Sequence, residues 1–82
     1  MNNNEEINLI KLLNEIEENF GLKDFYAITI WLNAKEVSMQ GYFTDTNLKI
    51  AKALNVNLEF KDGFLKGYND NKLIKMVLST NN

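Results

Sequence analysis

The sequence predicts a single two-layer α+β domain in the order α-β-β-α-β-β-β, with a mostly antiparallel sheet and two helices on one face. Three observations carry that expectation. Residues 25–43 alternate apolar and polar side chains on both sides of a short break, which is the period of a hairpin. Residues 9–20 repeat apolar side chains at helical spacing, and a shorter stretch of the same kind follows the hairpin. Asp62-Gly63, between two further alternating runs, is the strongest short-range hairpin signal in the chain.

The first helix is expected to start at a cap on Asn3 or Asn4, with Glu5 and Glu6 placed favourably for the helix dipole. Leu9, Leu13, Ile16 and Phe20 form its buried stripe, widened by Ile10 and Leu12, while Lys11, Asn14, Glu15 and Glu18 occupy the other side. The stripe spans barely two heptads, too few for a coiled coil. Gly21 stands where a left-handed terminating residue belongs, with Leu22 supplying the accompanying apolar contact.

In the first hairpin, Tyr26, Ile28, Ile30 and Leu32 share a face with Val37, Met39, Gly41 and Phe43. A two-residue turn at Ala34-Lys35, or a four-residue loop over 33–36, sets Leu32 opposite Val37, Ile30 opposite Met39 and Ile28 opposite Gly41. On the second face Trp31 then lies opposite Ser38, Thr29 opposite Gln40, and Ala27 opposite Tyr42. A slip of one residue would bury Ser38 and Gln40 instead.

Thr44 or Asp45 caps the second helix, whose core stripe is Ile50, Ala51 and Leu54 with Leu48 beside it. Lys49 and Lys52 face water, and Asn55 suits a left-handed end. In the next strand Val56, Leu58 and Phe60 point inward and Asn57, Glu59 and Lys61 outward. The Asp62-Gly63 turn sets Phe60 opposite Leu65, Leu58 opposite Gly67, and Glu59 opposite Lys66 as a cross-strand ion pair.

Residues 72–79 fit two patterns. A helix from Asn71 gathers Leu73, Ile74, Val77 and Leu78; a strand turns Ile74, Met76 and Leu78 inward and Leu73, Lys75 and Val77 outward. An Asp70-Asn71 turn would pair Gly67 with Ile74 and Leu65 with Met76, core against core, and that agreement selects the strand. The domain is expected to cover 5–80, with flexible ends at 1–4 and 81–82. A chain of this length buries roughly 60–65% of its unfolded surface. Its expected stability is about 4–12 kcal/mol.

Composition narrows the function classes. The 82 residues include no His, Cys, Pro or Arg, so all nine positive charges are Lys. Without Cys there are no disulfides or thiolate metal sites, and without His the commonest general base and metal ligand is missing. Only Ser38 and Ser79 carry a serine hydroxyl. The Glu15, Glu17 and Glu18 cluster reads as a solvated helix face. Gly41, Gly63 and Gly67 form no phosphate loop, and Asp62-Gly63 lacks the spaced acids of a calcium loop. The expectation is a protein that is not an enzyme and uses no cofactor or metal.

No apolar run approaches the ~20 residues of a membrane span, and the start lacks a signal peptide's basic and apolar regions. A cytoplasmic protein without a membrane partner is expected. Charge is uneven: residues 1–45 carry three Lys against eight acids, and residues 46–82 six Lys against three. Helix-dipole and solubility effects account for this split, and an acidic helix and a basic strand region meeting different partners is the sharper reading. Fourteen Asn with abundant Lys and Ile suggest A/T-rich codons, hence a low-GC bacterium or one of its phages.

The second face of the hairpin is the informative one, because Trp31 and Tyr42 stand on it among small polar residues. Aromatic residues of this kind are enriched at interface hot spots. The expected function is a small protein-interaction module, with Trp31 and Tyr42 as anchors and Gln40, Phe64, Tyr68 and Lys66 beside them. A phage-encoded inhibitor of a host defence enzyme, working in the host cytoplasm, would suit its size and composition. An alternative is a single-stranded nucleic-acid binder, which would use these aromatics with Lys61, Lys66 and Lys75. A third reading is a homo-oligomer, such as a homodimer, joined through the same face.

Overall fold

Seven elements follow one another in the predicted order: α1 (Asn3–Asn19), β1 (Phe25–Trp31), β2 (Glu36–Tyr42), α2 (Asp45–Ala53), β3 (Asn57–Lys61), β4 (Phe64–Tyr68) and β5 (Ile74–Ser79). The computed structural model describes residues 3–31, 33 and 36–80, with side chains from residue 10 onward. The expectations for Leu32, the Ala34-Lys35 turn, the Asn3 or Asn4 cap, Leu9 and the two chain ends lie outside the described residues or side chains.

The strands form one sheet in the order β1-β2-β5-β4-β3. Three neighbouring pairs are antiparallel, while β5 inserts between β2 and β4 and runs parallel to β2. The chain therefore leaves β2, builds α2 and the β3–β4 hairpin, and returns to fill the centre of the sheet. Parallel neighbours need such a crossover. The result is the largely antiparallel α+β domain with two helices that the sequence predicts.

The core lies between the helices and the central strands. Val37 and Met39 from β2 and Ile74, Met76 and Leu78 from β5 are buried against Ile16 of α1, Ile50 and Ala51 of α2, and Leu54 at the C-cap of α2. Each such large side chain contributes about 1.5–3 kcal/mol on burial. Along β5 burial alternates residue by residue, the signature of a sheet covered on one face only.

Helix ends and turns follow their residues. Gly21 takes φ 82° and donates to the Glu17 carbonyl at 3.0 Å, closing α1. Thr44 caps α2 by accepting from the Asn47 N–H at 3.2 Å. Asn55 takes φ 59°, and Asp62 and Gly63 take φ 55° and 83°, the left-handed pair of a two-residue hairpin turn. With that turn, Phe60 meets Leu65, Leu58 meets Gly67, and Glu59 meets Lys66, as predicted.

Two other registers differ from expectation, each by two residues. In β1–β2, Ile30 faces Val37, Ile28 faces Met39, Thr29 faces Ser38, Ala27 faces Gln40, and Trp31 faces Glu36. In β4–β5, Gly67 faces Met76 and Leu65 faces Leu78, because Asn69 still pairs with Ile74 beyond the expected strand end. Asn69 and Asn71 hold that loop through side-chain oxygens that accept from the Ile74 and Leu73 N–H groups.

Several apolar residues also leave the expected core. A bulge between Phe25 and Ala27 turns Tyr26 outward and seats Phe25 over Gly41. Ile10, Phe20 and Phe43 are exposed, while Leu73 packs against the core rather than joining the outer face. Phe60, on the outermost strand, is 64% exposed, more than any other large apolar side chain among the described residues. Phe60→Ser is accordingly expected to change the urea-unfolding free energy by less than about 1 kcal/mol. A larger loss would mean that Phe60 is covered in solution.

Asn47 joins the layers. Its side chain is fully buried, and its Nδ2 donates to the Asp24 carbonyl at 3.1 Å and the Tyr42 carbonyl at 2.8 Å. It thereby ties the start of α2 to the segment before β1 and to the end of β2. The Thr44 hydroxyl reinforces the junction by donating to Asp24 Oδ2 at 2.9 Å.

Candidate functional site

Because both helices cover one face, alternation along the strands sends the other set of side chains to open solvent. All six residues singled out from the sequence, Trp31, Tyr42, Gln40, Phe64, Tyr68 and Lys66, belong to that outer set. They do not form one cluster. Trp31 faces Glu36 at one end of the β1–β2 pair, and Tyr42 lies six residues further along β2. At about 3.3 Å per residue this separates the two aromatics by roughly 20 Å.

The nearest ring to Tyr42 is Tyr26, brought there by the bulge, with centroids 5.3 Å apart and planes tilted by 55°. Tilted pairs of this kind are favoured by the ring quadrupole. Both rings remain open to solvent, Tyr26 at 54% and Tyr42 at 42%, and Trp31 matches them at 54%. The sequence pattern had no means of showing Tyr26 here, since strict alternation assigns it to the core. Gln40 is exposed between Ala27 and Val77 in the middle of the face.

The β3–β5 half has a different chemistry. Here Phe64 faces Ser79 and Lys61, Lys66 faces Val77 and Glu59, and Tyr68 faces Lys75 and Asn57. Lys66 Nζ lies 5.5 Å from the Phe64 ring centroid and Lys75 Nζ 6.0 Å from that of Tyr68. The predicted Glu59–Lys66 ion pair is not made, although the two residues are cross-strand partners: the ammonium group turns to the Phe64 ring instead. Among the described residues, none of Lys61, Lys66 and Lys75 forms a salt bridge.

Glu59, Phe60, Lys61, Lys66, Gly67, Tyr68 and Lys75 line an open depression of about 420 Å³. Charge thus divides by strand across the outer face. Among the described residues, the β1–β2 half holds three exposed aromatics and one acid, Glu36; the β3–β5 half holds three lysines and one acid, Glu59, beside Phe64 and Tyr68.

No three His, Cys, Asp or Glu side chains gather to hold a metal among the described residues. No helix among them is long and apolar enough to cross a membrane. No protein-family model matches the chain, and no curated protein or solved structure matches it.

Proposed function

We propose that the chain is a non-catalytic protein-interaction module that docks through the β1–β2 half of its open sheet face. The observation that carries this reading is the exposure of Tyr26, Trp31 and Tyr42 on one strand pair, with no ammonium group between them among the described residues. Such rings bring a large apolar area to an interface and lose little conformational entropy on docking. Ala27, Thr29, Ser38 and Gln40 between them leave low ground into which a partner's side chains fit. The A/T-rich composition extends the proposal to a phage-encoded inhibitor seated on a host enzyme.

The test is Trp31→Ala, followed by quantitative capture from the native host and by solution mass. The expected result is a loss of partner affinity of about 2 kcal/mol or more, roughly 30-fold, with a nearly unchanged thermal midpoint. A partner retained at full affinity would overturn the assignment of this half. Should the wild type run as a dimer and Trp31→Ala as a monomer, the partner is a second copy of the chain.

A further inference from the structure

We propose that the β3–β5 half of the open face is a separate site for single-stranded nucleic acid, reading two to three successive nucleotides. The proposal does not rest on the docking of the aromatic half and uses none of its residues. Its basis is a repeated unit. Phe64 with Lys66, and Tyr68 with Lys75, each hold an ammonium group over an aromatic ring, 5.5 Å and 6.0 Å from the ring centroids. An arriving phosphate would draw that flexible cation off the ring and free its face for a base. A ring that stacks a base beside a cation that meets a phosphate is the element by which sheets hold single strands.

The two units lie on the same face of the same β-ladder. Phe64 and Tyr68 stand four residues apart on β4, with Lys66 between them and Lys61 directly across from Phe64. Same-face positions recur about every 6.6 Å along a strand, a step close to the phosphate repeat of an extended single strand. Duplex DNA offers no unstacked bases to such rings.

Charge supports the assignment. The chain carries a net charge of −2, yet three of its nine lysines line this one depression against the single acid Glu59. Among the described residues none of the three is spent on a carboxylate. Their charge is therefore available to an anion. An acidic peptide would satisfy the lysines equally, but two cation–ring units spaced along one strand match the alternation of phosphate and base in a nucleotide chain. The ring–cation pairing favours the nucleotide.

The experiment is fluorescence polarisation of labelled ten-nucleotide oligo-dT and oligo-U with the full chain, between 20 and 200 mM salt. With three phosphates engaged, log Kobs is expected to fall with log salt at a slope of about −2, since each single-strand phosphate contributes about 0.7. Lys66→Gln and Lys75→Gln should each flatten that slope by about 0.7. Tyr68→Leu should weaken binding about tenfold. Circular dichroism confirms that each variant keeps its fold, and Lys52→Gln, on the exposed side of α2, should bind the oligonucleotide as the wild type does.

Four results would overturn the proposal: no binding at the lowest salt, a slope indifferent to both Lys66→Gln and Lys75→Gln, a flattening on Lys52→Gln equal to that on Lys66→Gln, or competition by poly-glutamate as effective as by unlabelled oligonucleotide. The last would reassign the depression to an acidic protein segment. None of them bears on the Trp31 test, so the two sites stand or fall separately.

Discussion

Asn47→Asp is expected to destabilise the fold by about 3–5 kcal/mol at neutral pH, although it exchanges only an amide for a carboxylate of the same shape. In the wild type, Nδ2 donates to the carbonyls of Asp24 and Tyr42, and the side chain is fully buried. Aspartate would aim an ionised oxygen at two carbonyl oxygens with no cation among its hydrogen-bond partners. Against an expected stability of about 4–12 kcal/mol, such a loss leaves little or no folded margin.

The effect carries a pH signature of definite sign. Burial against acceptors raises the folded-state pKa of the new carboxyl above the ~3.9 of an unfolded aspartate. The folded variant therefore holds a proton over a range in which the unfolded chain has released it. Stability falls as pH rises through that range, and part of it returns near pH 4 and below, where the carboxyl can donate again. Urea titrations of Asn47→Asp and Asn47→Ala at pH 4 and pH 7 measure this directly. Asn47→Ala should lose about 1–3 kcal/mol with no added pH slope. If the two variants behaved alike at both pH values, the described role of Nδ2 would be wrong.

Gly67→Ala is the second large effect, expected at about 3 kcal/mol. A Cβ on Gly67 would run into the Asn57 carbonyl, whose carbon would be 2.6 Å away, and would press on Leu58 Cα at 3.1 Å. These are backbone atoms of the neighbouring strand and cannot swing aside. The methyl must push β3 away from β4, and with it Glu59 and Lys61 away from the depression. Oligonucleotide affinity should drop together with stability, while the Tyr26–Tyr42 pair stays in place. Gly21→Ala makes the useful contrast. Nothing lies within 4 Å of a Cβ there, and the cost comes only from φ 82°, about 1–2 kcal/mol. A milder effect at Gly67 than at Gly21 would show that β3 yields easily.

The three loops between paired strands show how far a sequence pattern reaches. Asp62-Gly63 named its own turn, because few residue pairs adopt two consecutive left-handed conformations, and the β3–β4 register followed from it. Neither the loop after Trp31 nor the one after Asn69 carries such a pair, and both registers came out two residues from expectation. A two-residue shift leaves every side chain on its original face. Apolar alternation therefore cannot detect it; loop geometry sets it. The consequence for the site is direct: Trp31 and Tyr42, expected four residues apart along β2, stand at opposite ends of the face.

Tyr26 illustrates a second limit. A bulge changes the phase of alternation without a residue that marks it, and here it exchanges Phe25 for Tyr26 in the core. Gly41 accommodates the exchange by leaving room for the Phe25 ring, whose Cδ1 would lie 2.7 Å from a Cβ at position 41. Asn47 was equally hidden. A polar residue on an amphipathic helix reads as solvent-facing until the carbonyls that it satisfies are in view.

By itself the sequence determined the seven elements, the face to which most strand side chains turn, and the caps that end the helices, because these depend on periods and backbone preferences within a few residues. Only the tertiary structure decided that β5 enters between β2 and β4, that the lysines of the open face gather on its β3–β5 half beside Phe64 and Tyr68, and that Asn47 pins the layers together. Those depend on which segments lie side by side, and strand pairing across tens of residues leaves no trace in local periodicity.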